Sequence, residues 1–136
     1  MANYKIEDIE GIGPVRGEQF RAAGVKDTDA LLAHSSTPKQ RNELAAKTGI
    51  SEALILKFAN MVDLYRVNGI GSEYSELLEA TGVDTVPELA QRNPANLAEA
   101  LAKVNAEKQL TRRTPSEADV ENWIGQAKRL PRVLEY

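Results

Sequence analysis

The sequence predicts an all-α protein built from two copies of a four-helix unit, and three observations carry that prediction. First, Gly-Ile-Gly occurs twice, at Gly11-Ile12-Gly13 and Gly69-Ile70-Gly71, 58 residues apart. The surrounding text repeats with it. Glu18/Glu76, Ala22/Ala80, Gly24/Gly82, Val25/Val83 and Leu31/Leu89 are identical, while Ile9/Val67 and Phe20/Leu78 agree in kind. Self-similarity at a fixed period names the architectural unit. Second, capping residues, prolines and glycines fall where helices begin and end. Third, no stretch alternates apolar and polar residues as a half-buried strand would. Aromatics make up only 5% of the chain, so the core must come from Leu, Ile, Val and Ala, a composition that favours helices.

The elements follow in order. Pro14 suits the first turn of a helix, where an N–H has no intrahelical partner anyway. That helix is expected from Pro14 to Ala23, with Gly24 in the left-handed position that ends it. Thr28 is expected to cap a short helix carrying Leu31 and Leu32. Thr37-Pro38 opens a helix to Lys47, closed by Gly49. Ser51 caps the longest helix of this half, whose Leu54, Ile55, Phe58, Met61, Val62 and Tyr65 follow i, i+3, i+4, i+7 spacing.

The second half replays this pattern. Ser72 is expected to cap a helix ending at Ala80, with Gly82 as its stop. Thr85 and Asn93-Pro94 open two more, the latter carrying Leu97, Leu101 and Val104. Thr114-Pro115-Ser116-Glu117 reads as a capping box with proline at the first helical position. It opens a last helix with Val120, Trp123, Ile124, Ala127 and Leu130. Ser51-Glu52-Ala53 and Ser116-Glu117-Ala118 match at a separation of 65, so an insertion falls near Lys103–Arg113. Trp123 takes the place of Phe58 in the other copy, which argues for core filling. The repeats are 1–66 and 67–136. They are expected to share one core, because the helix capped by Ser51 feeds straight across the boundary; the tail Pro131–Tyr136 is expected to be irregular.

Composition narrows the function classes. No cysteine is present, which removes disulfides, thiolate metal sites and cysteine nucleophiles. The opening Met1–Lys5 lacks the basic and apolar regions of a secretory signal, and no apolar run approaches a bilayer span. A cytoplasmic location, without membrane association, is the expectation. Net charge is −3, and residues 67–136 carry eight basic against eleven acidic side chains. A strongly basic domain would announce nucleic acid through its overall field. Here any such binding must come from a local patch.

The strings Ile9-Glu10-Gly11-Ile12-Gly13-Pro14 and Val67-Asn68-Gly69-Ile70-Gly71 resemble the hairpins of helix-hairpin-helix motifs. Their tandem arrangement, with Leu-rich segments after each Gly-Val, is similar to a bacterial family of uncharacterised proteins built from paired helix-hairpin-helix units. The resemblance covers about residues 5–130. It implies contact with DNA or RNA phosphates without sequence preference, because a sharp glycine turn leaves backbone N–H groups and the positive end of a helix facing outward. The donors so implied are the amides of Gly11, Ile12, Gly13 and Val15, with Arg16 adding a charge and Arg21 and Lys26 nearby. In the second copy they are Gly69, Ile70, Gly71 and Ser72, followed by Glu73, Glu76 and Glu79 with no cation. If one hairpin binds, it is the first. The alternative is that both turns are architectural, Ile12 and Ile70 plug the core, and the chain is a protein-interaction or scaffolding module.

Other candidates are weaker. His34 is the only histidine and has no clustered partners. The acid pairs Asp8/Glu10 and Glu117/Asp119/Glu121 have i, i+2 spacing, which separates them around a helix. Arg112-Arg113 reads as a solvated loop, and Lys128, Arg129 and Arg132 as cations complementing a helix C-terminus. Nucleotide-hydrolase loops, catalytic triads and metal-ligand spacings are missing from the sequence. No enzymatic activity and no cofactor are expected.

Overall fold

The computed structural model describes residues 3–136. Met1 and Ala2, which open the stretch read above for a secretory signal, lie outside the described residues. Eight α-helices make up the described chain: α1 (Gly13–Ala22), α2 (Thr28–Ala33), α3 (Pro38–Thr48), α4 (Glu52–Leu64), α5 (Ser72–Ala80), α6 (Val86–Ala90), α7 (Pro94–Lys108) and α8 (Glu117–Arg129). A short 3-10 turn, Ile6–Asp8, precedes them. Among the described residues no strand forms; Lys5 and Asp27 make a single isolated bridge. Among the described residues no helix is long and apolar enough to cross a membrane.

Most helix ends follow the local chemistry. Thr37 accepts from the Gln40 N–H while Gln40 reaches back to Thr37, a complete capping box ahead of Pro38. Ser51, Thr85 and Asn93 accept from the N–H groups of Leu54, Glu88 and Asn96. Such caps contribute about 1 kcal/mol each.

Three expected caps differ. Asp27, one residue earlier than Thr28, caps α2 by accepting from Ala30 N–H at 2.9 Å. The Thr28 hydroxyl is already engaged, accepting from the Tyr4 N–H and donating to Asn3 Oδ1. Ser72 is the first residue of α5 rather than its cap, a place taken by Gly71 without a side-chain bond. At α8 the box is Ser116 with Asp119. Thr114 instead accepts from the buried Asn105, whose amide also bonds the backbone of Thr111 in both directions. That anchor holds the 109–116 connection. The extra length of the second half lies there and in α7, which has 15 residues against 11 in α3.

Two compact units divide the chain: Leu64–Pro131, and the residues up to Asp63 together with Arg132–Tyr136. In the first of these, α8 packs against α6 and α7, and α5 against α7. Its core draws Leu77 and Leu78 from α5, Leu89 from α6, Leu97 and Leu101 from α7, and Val120, Trp123 and Ile124 from α8. In the other unit α1 packs on the 3-10 turn and on α3. Phe20 and Phe58 meet there edge to face, 6.4 Å between centroids, in an interior that also buries Ile6, Leu31 and Ile55.

The tail 132–136 has no regular secondary structure, yet it is not loose. Leu134 is buried, the Glu135 N–H donates to the Ser36 carbonyl at 2.8 Å, and Tyr136 Oη donates to Asn60 Oδ1 at 2.8 Å. Arg41, itself buried, donates to the carbonyls of Ser35 and Glu135.

Candidate functional site

Both Gly-Ile-Gly segments contain the same local turn. The N–H of Ile12 donates to the Ile9 carbonyl at 3.1 Å, and that of Ile70 to the Val67 carbonyl at 3.1 Å. Each is a four-residue turn with glycine third, at φ +92° for Gly11 and +100° for Gly69. A turn with positive φ at that place strongly favours glycine. The isoleucine that follows points inward; Ile12 and Ile70 are 2% and 3% exposed. Burying such a side chain contributes roughly 1.5–3 kcal/mol. Both turns therefore do structural work.

This geometry corrects the expected donor set. The amides of Ile12 and Ile70 close the turns and do not face outward as ligand donors. Gly11 and Gly69 are exposed, and Gly13 and Gly71 are half-buried. Beyond the isoleucine the two segments diverge. Gly13 has φ +67° and already belongs to α1, whereas Gly71 is extended at φ −115° and precedes α5.

Charge divides them further. Arg16 Nη1 donates to the Gly11 carbonyl at 3.1 Å, so a guanidinium stands on the first turn. Val15 beside it is 71% exposed. Arg21 is taken up by an ion pair with Glu7. At the second turn Glu73 occupies the first turn of α5, and no basic residue is found on that helix. Alongside the first turn is an open depression of about 570 Å³, walled by Ile12, Pro14, Val15, Ile50 and Leu54 with Arg16 at its rim.

The other candidates fall into place as ordinary structure. His34 is the exposed C-cap of α2. Trp123 is buried and tilted against Tyr74 at 5.1 Å. Asp119 accepts from the Ser116 N–H, which with the Ser116 hydroxyl and Arg113 holds its carboxyl below the usual range. Arg113 bonds Asp119 at 3.2 Å.

Sequence reasoning missed one feature. Arg66, Asn68, Asn122, Gln126, Arg129 and Leu130 line an open depression of about 530 Å³ beside the second turn. Arg129 had a sufficient account in the helix dipole, and nothing in the spacing links the segment before Gly69 to the end of α8. The one available signal was Gln126, a polar residue on a helix that is apolar toward the core.

No curated protein and no solved structure matches the chain. Residues 10–130, nearly the whole of it and both Gly-Ile-Gly segments included, match the model of one family, and the chain belongs to that family, described as a domain of unknown function (DUF4332).

Proposed function

We propose that the chain is a non-catalytic module of two tandem helix-hairpin-helix repeats that holds a nucleic-acid backbone, DNA above all, weakly and without sequence preference through the first hairpin. The observation that carries this reading is the Arg16 guanidinium seated on the Gly11 carbonyl. One of its N–H groups is spent on positioning, and the others remain for a phosphate that also meets the Gly11 and Gly13 amides and the N-terminus of α1. Val15 adds the amide of the helix's first turn. Gly69, Gly71 and Ser72 offer similar groups at the second hairpin, but the exposed Glu73 charge opposes an anion there.

The experiment is a fluorescence-anisotropy titration of labelled duplex and single-stranded oligonucleotides at low salt. Binding should weaken with a salt slope of only a few phosphates. Arg16→Glu should reduce affinity at least tenfold, since it replaces a charge-assisted contact by a repulsion. No binding by the wild-type chain to either strand form would end the proposal.

A second reading, a protein-interaction module, draws on the apolar wall of the depression beside the first hairpin and on the exposure of Val15. It predicts capture of one constant protein partner, insensitive to nuclease and lost in Val15→Asp.

A further inference from the structure

We infer that Asn68 is this chain's site of spontaneous deamidation, and that the Gln126 side chain sets how fast the change occurs. Neither role depends on the first hairpin or on any anion.

Of the eight asparagines, only Asn68 is followed by glycine. With no Cβ on Gly69, its backbone nitrogen can approach the preceding side chain closely. Gly69 N attacks Cγ of Asn68 and forms the new C–N bond. The Gly69 amide proton and the Asn68 side-chain NH2 leave together as ammonia, and a five-membered succinimide remains. Water then opens the ring at either carbonyl, giving aspartate or isoaspartate. Water is the only co-reactant, and Asn68 and Gly69 are both exposed to it.

The folded turn keeps the reacting atoms apart. Among the described residues Gln109 is the only non-glycine with positive φ, so Asn68 has negative φ. With Gly69 at φ +100°, the Val67–Ile70 turn is therefore of type II. Its second residue has ψ of about +120°, whereas Gly69 N meets Cγ only when it eclipses Cβ, at ψ of about −120°. The peptide plane must rotate by roughly 120° the short way round, carrying the Asn68 carbonyl and the Gly69 nitrogen together.

Gln126 opposes that rotation. Its Nε2 donates to the Asn68 carbonyl at 3.1 Å, and its Oε1 accepts the Asn68 N–H at 2.8 Å. Both ends of Asn68 are thus tied to one amide. The same Nε2 donates to Asn122 Oδ1 at 2.9 Å, one turn earlier on α8, which holds Gln126 in place. Rotation breaks the bond to the Asn68 carbonyl and disturbs the Ile70–Val67 bond that closes the turn. Cyclisation waits for this local opening.

Either product places a carboxylate on the second turn, ahead of the exposed Glu73. Isoaspartate also lengthens the main chain by one methylene, which moves the carbonyl relative to Gln126. The change runs one way, so the modified fraction records how long the turn has stood open.

The full chain is aged in mildly alkaline buffer, native and in urea, and peptide mapping by mass spectrometry follows each asparagine. In urea Asn68 should convert ahead of the other seven, and in the native chain far more slowly. Native Gln126→Ala should convert about fivefold faster or more, since two hydrogen bonds are lost. Gln126→Glu still accepts the Asn68 N–H but cannot donate to the carbonyl, so its rate should fall between the two. In urea all three chains should react alike, and thermal melts identify the variants that remain folded. Conversion of another asparagine ahead of Asn68 in urea overturns the site. A native rate equal to that in urea, or a folded Gln126 variant that converts no faster than wild type, overturns the role of Gln126.

Discussion

A Cβ atom placed on Gly69 would stand 2.9 Å from Nε1 of Trp123, closer than real side chains tolerate. The corresponding atom on Gly11 would stand 3.4 Å from Cε1 of Phe58. In each half, one aromatic from the last helix lies under the glycine of the turn, and the larger indole leaves less room. The turn is thus held from below by packing as well as by its own hydrogen bond.

Alanine at these glycines should separate strain from collision. Both positions have positive φ, which costs a residue with a Cβ about 1–2 kcal/mol. At Gly69 the indole must also shift, adding about 1–3 kcal/mol of overpacking. Gly69→Ala should therefore lower Tm more than Gly11→Ala. Thermal melts followed by circular dichroism check this, and equal losses would show that Trp123 does not constrain the turn.

The C-terminal tail should contribute measurable stability. Removing residues 132–136 exposes the pocket of Leu134 and leaves Arg41 with the Ser35 carbonyl alone. A loss of about 2–5 kcal/mol is expected from the cavity and the orphaned donor. Arg41→Met should cost about 1–3 kcal/mol in the full chain and less in the truncated one. Urea unfolding of the four chains measures that coupling. Additive losses would mean that the arginine and the tail act independently.

Acid should destabilise the protein through two capping carboxylates. Asp27 is held below the usual carboxylate range by the Ala30 N–H and by the Asn3 side chain, and Asp119 by Ser116. A folded value below the unfolded one gives stability that is full above the unfolded value, about pH 4, and is lost as pH falls through the folded one. Glu88 runs the other way, since burial and then the neighbouring Asp84 raise its carboxyl. Its contribution is present at low pH and lost as pH rises. Melts from pH 2 to 7 should show a shallower acid slope for Asp27→Asn and Asp119→Asn. Glu88→Gln should gain on wild type only toward neutral pH.

Gln109 closes α7 in the left-handed conformation, at φ 51° and ψ 47°. Gln109→Gly should raise stability by about 0.5–1 kcal/mol by relieving its Cβ. A lowered Tm would mean that its side chain makes up for the strain.

Helices, their order and most of their ends were legible in the sequence, because caps, prolines and glycines act over three or four residues. Thr37, Ser51, Thr85 and Asn93 cap as their local text says. The misreadings share one cause. Thr28, Ser72 and Thr114 each looked like a cap, but Thr28 and Thr114 had partners from elsewhere, Asn3 with Tyr4 and Asn105, and a glycine took the place expected for Ser72. The amides of Ile12 and Ile70 were misassigned for a similar reason, since a turn's internal hydrogen bond depends on where its first carbonyl points.

By itself, then, the sequence determined an all-helical chain, its punctuation, its two glycine turns and the apolar faces of its helices, all set by short-range backbone preference and apolar spacing. Tertiary structure alone decided that Phe58 and Trp123 lie under the turn glycines, that Arg41 is tied to the tail, and that Gln126 bonds the backbone of Asn68. Those relationships join residues up to 94 positions apart. A polar side chain chooses its partner only after apolar packing has brought the distant segment within hydrogen-bond reach.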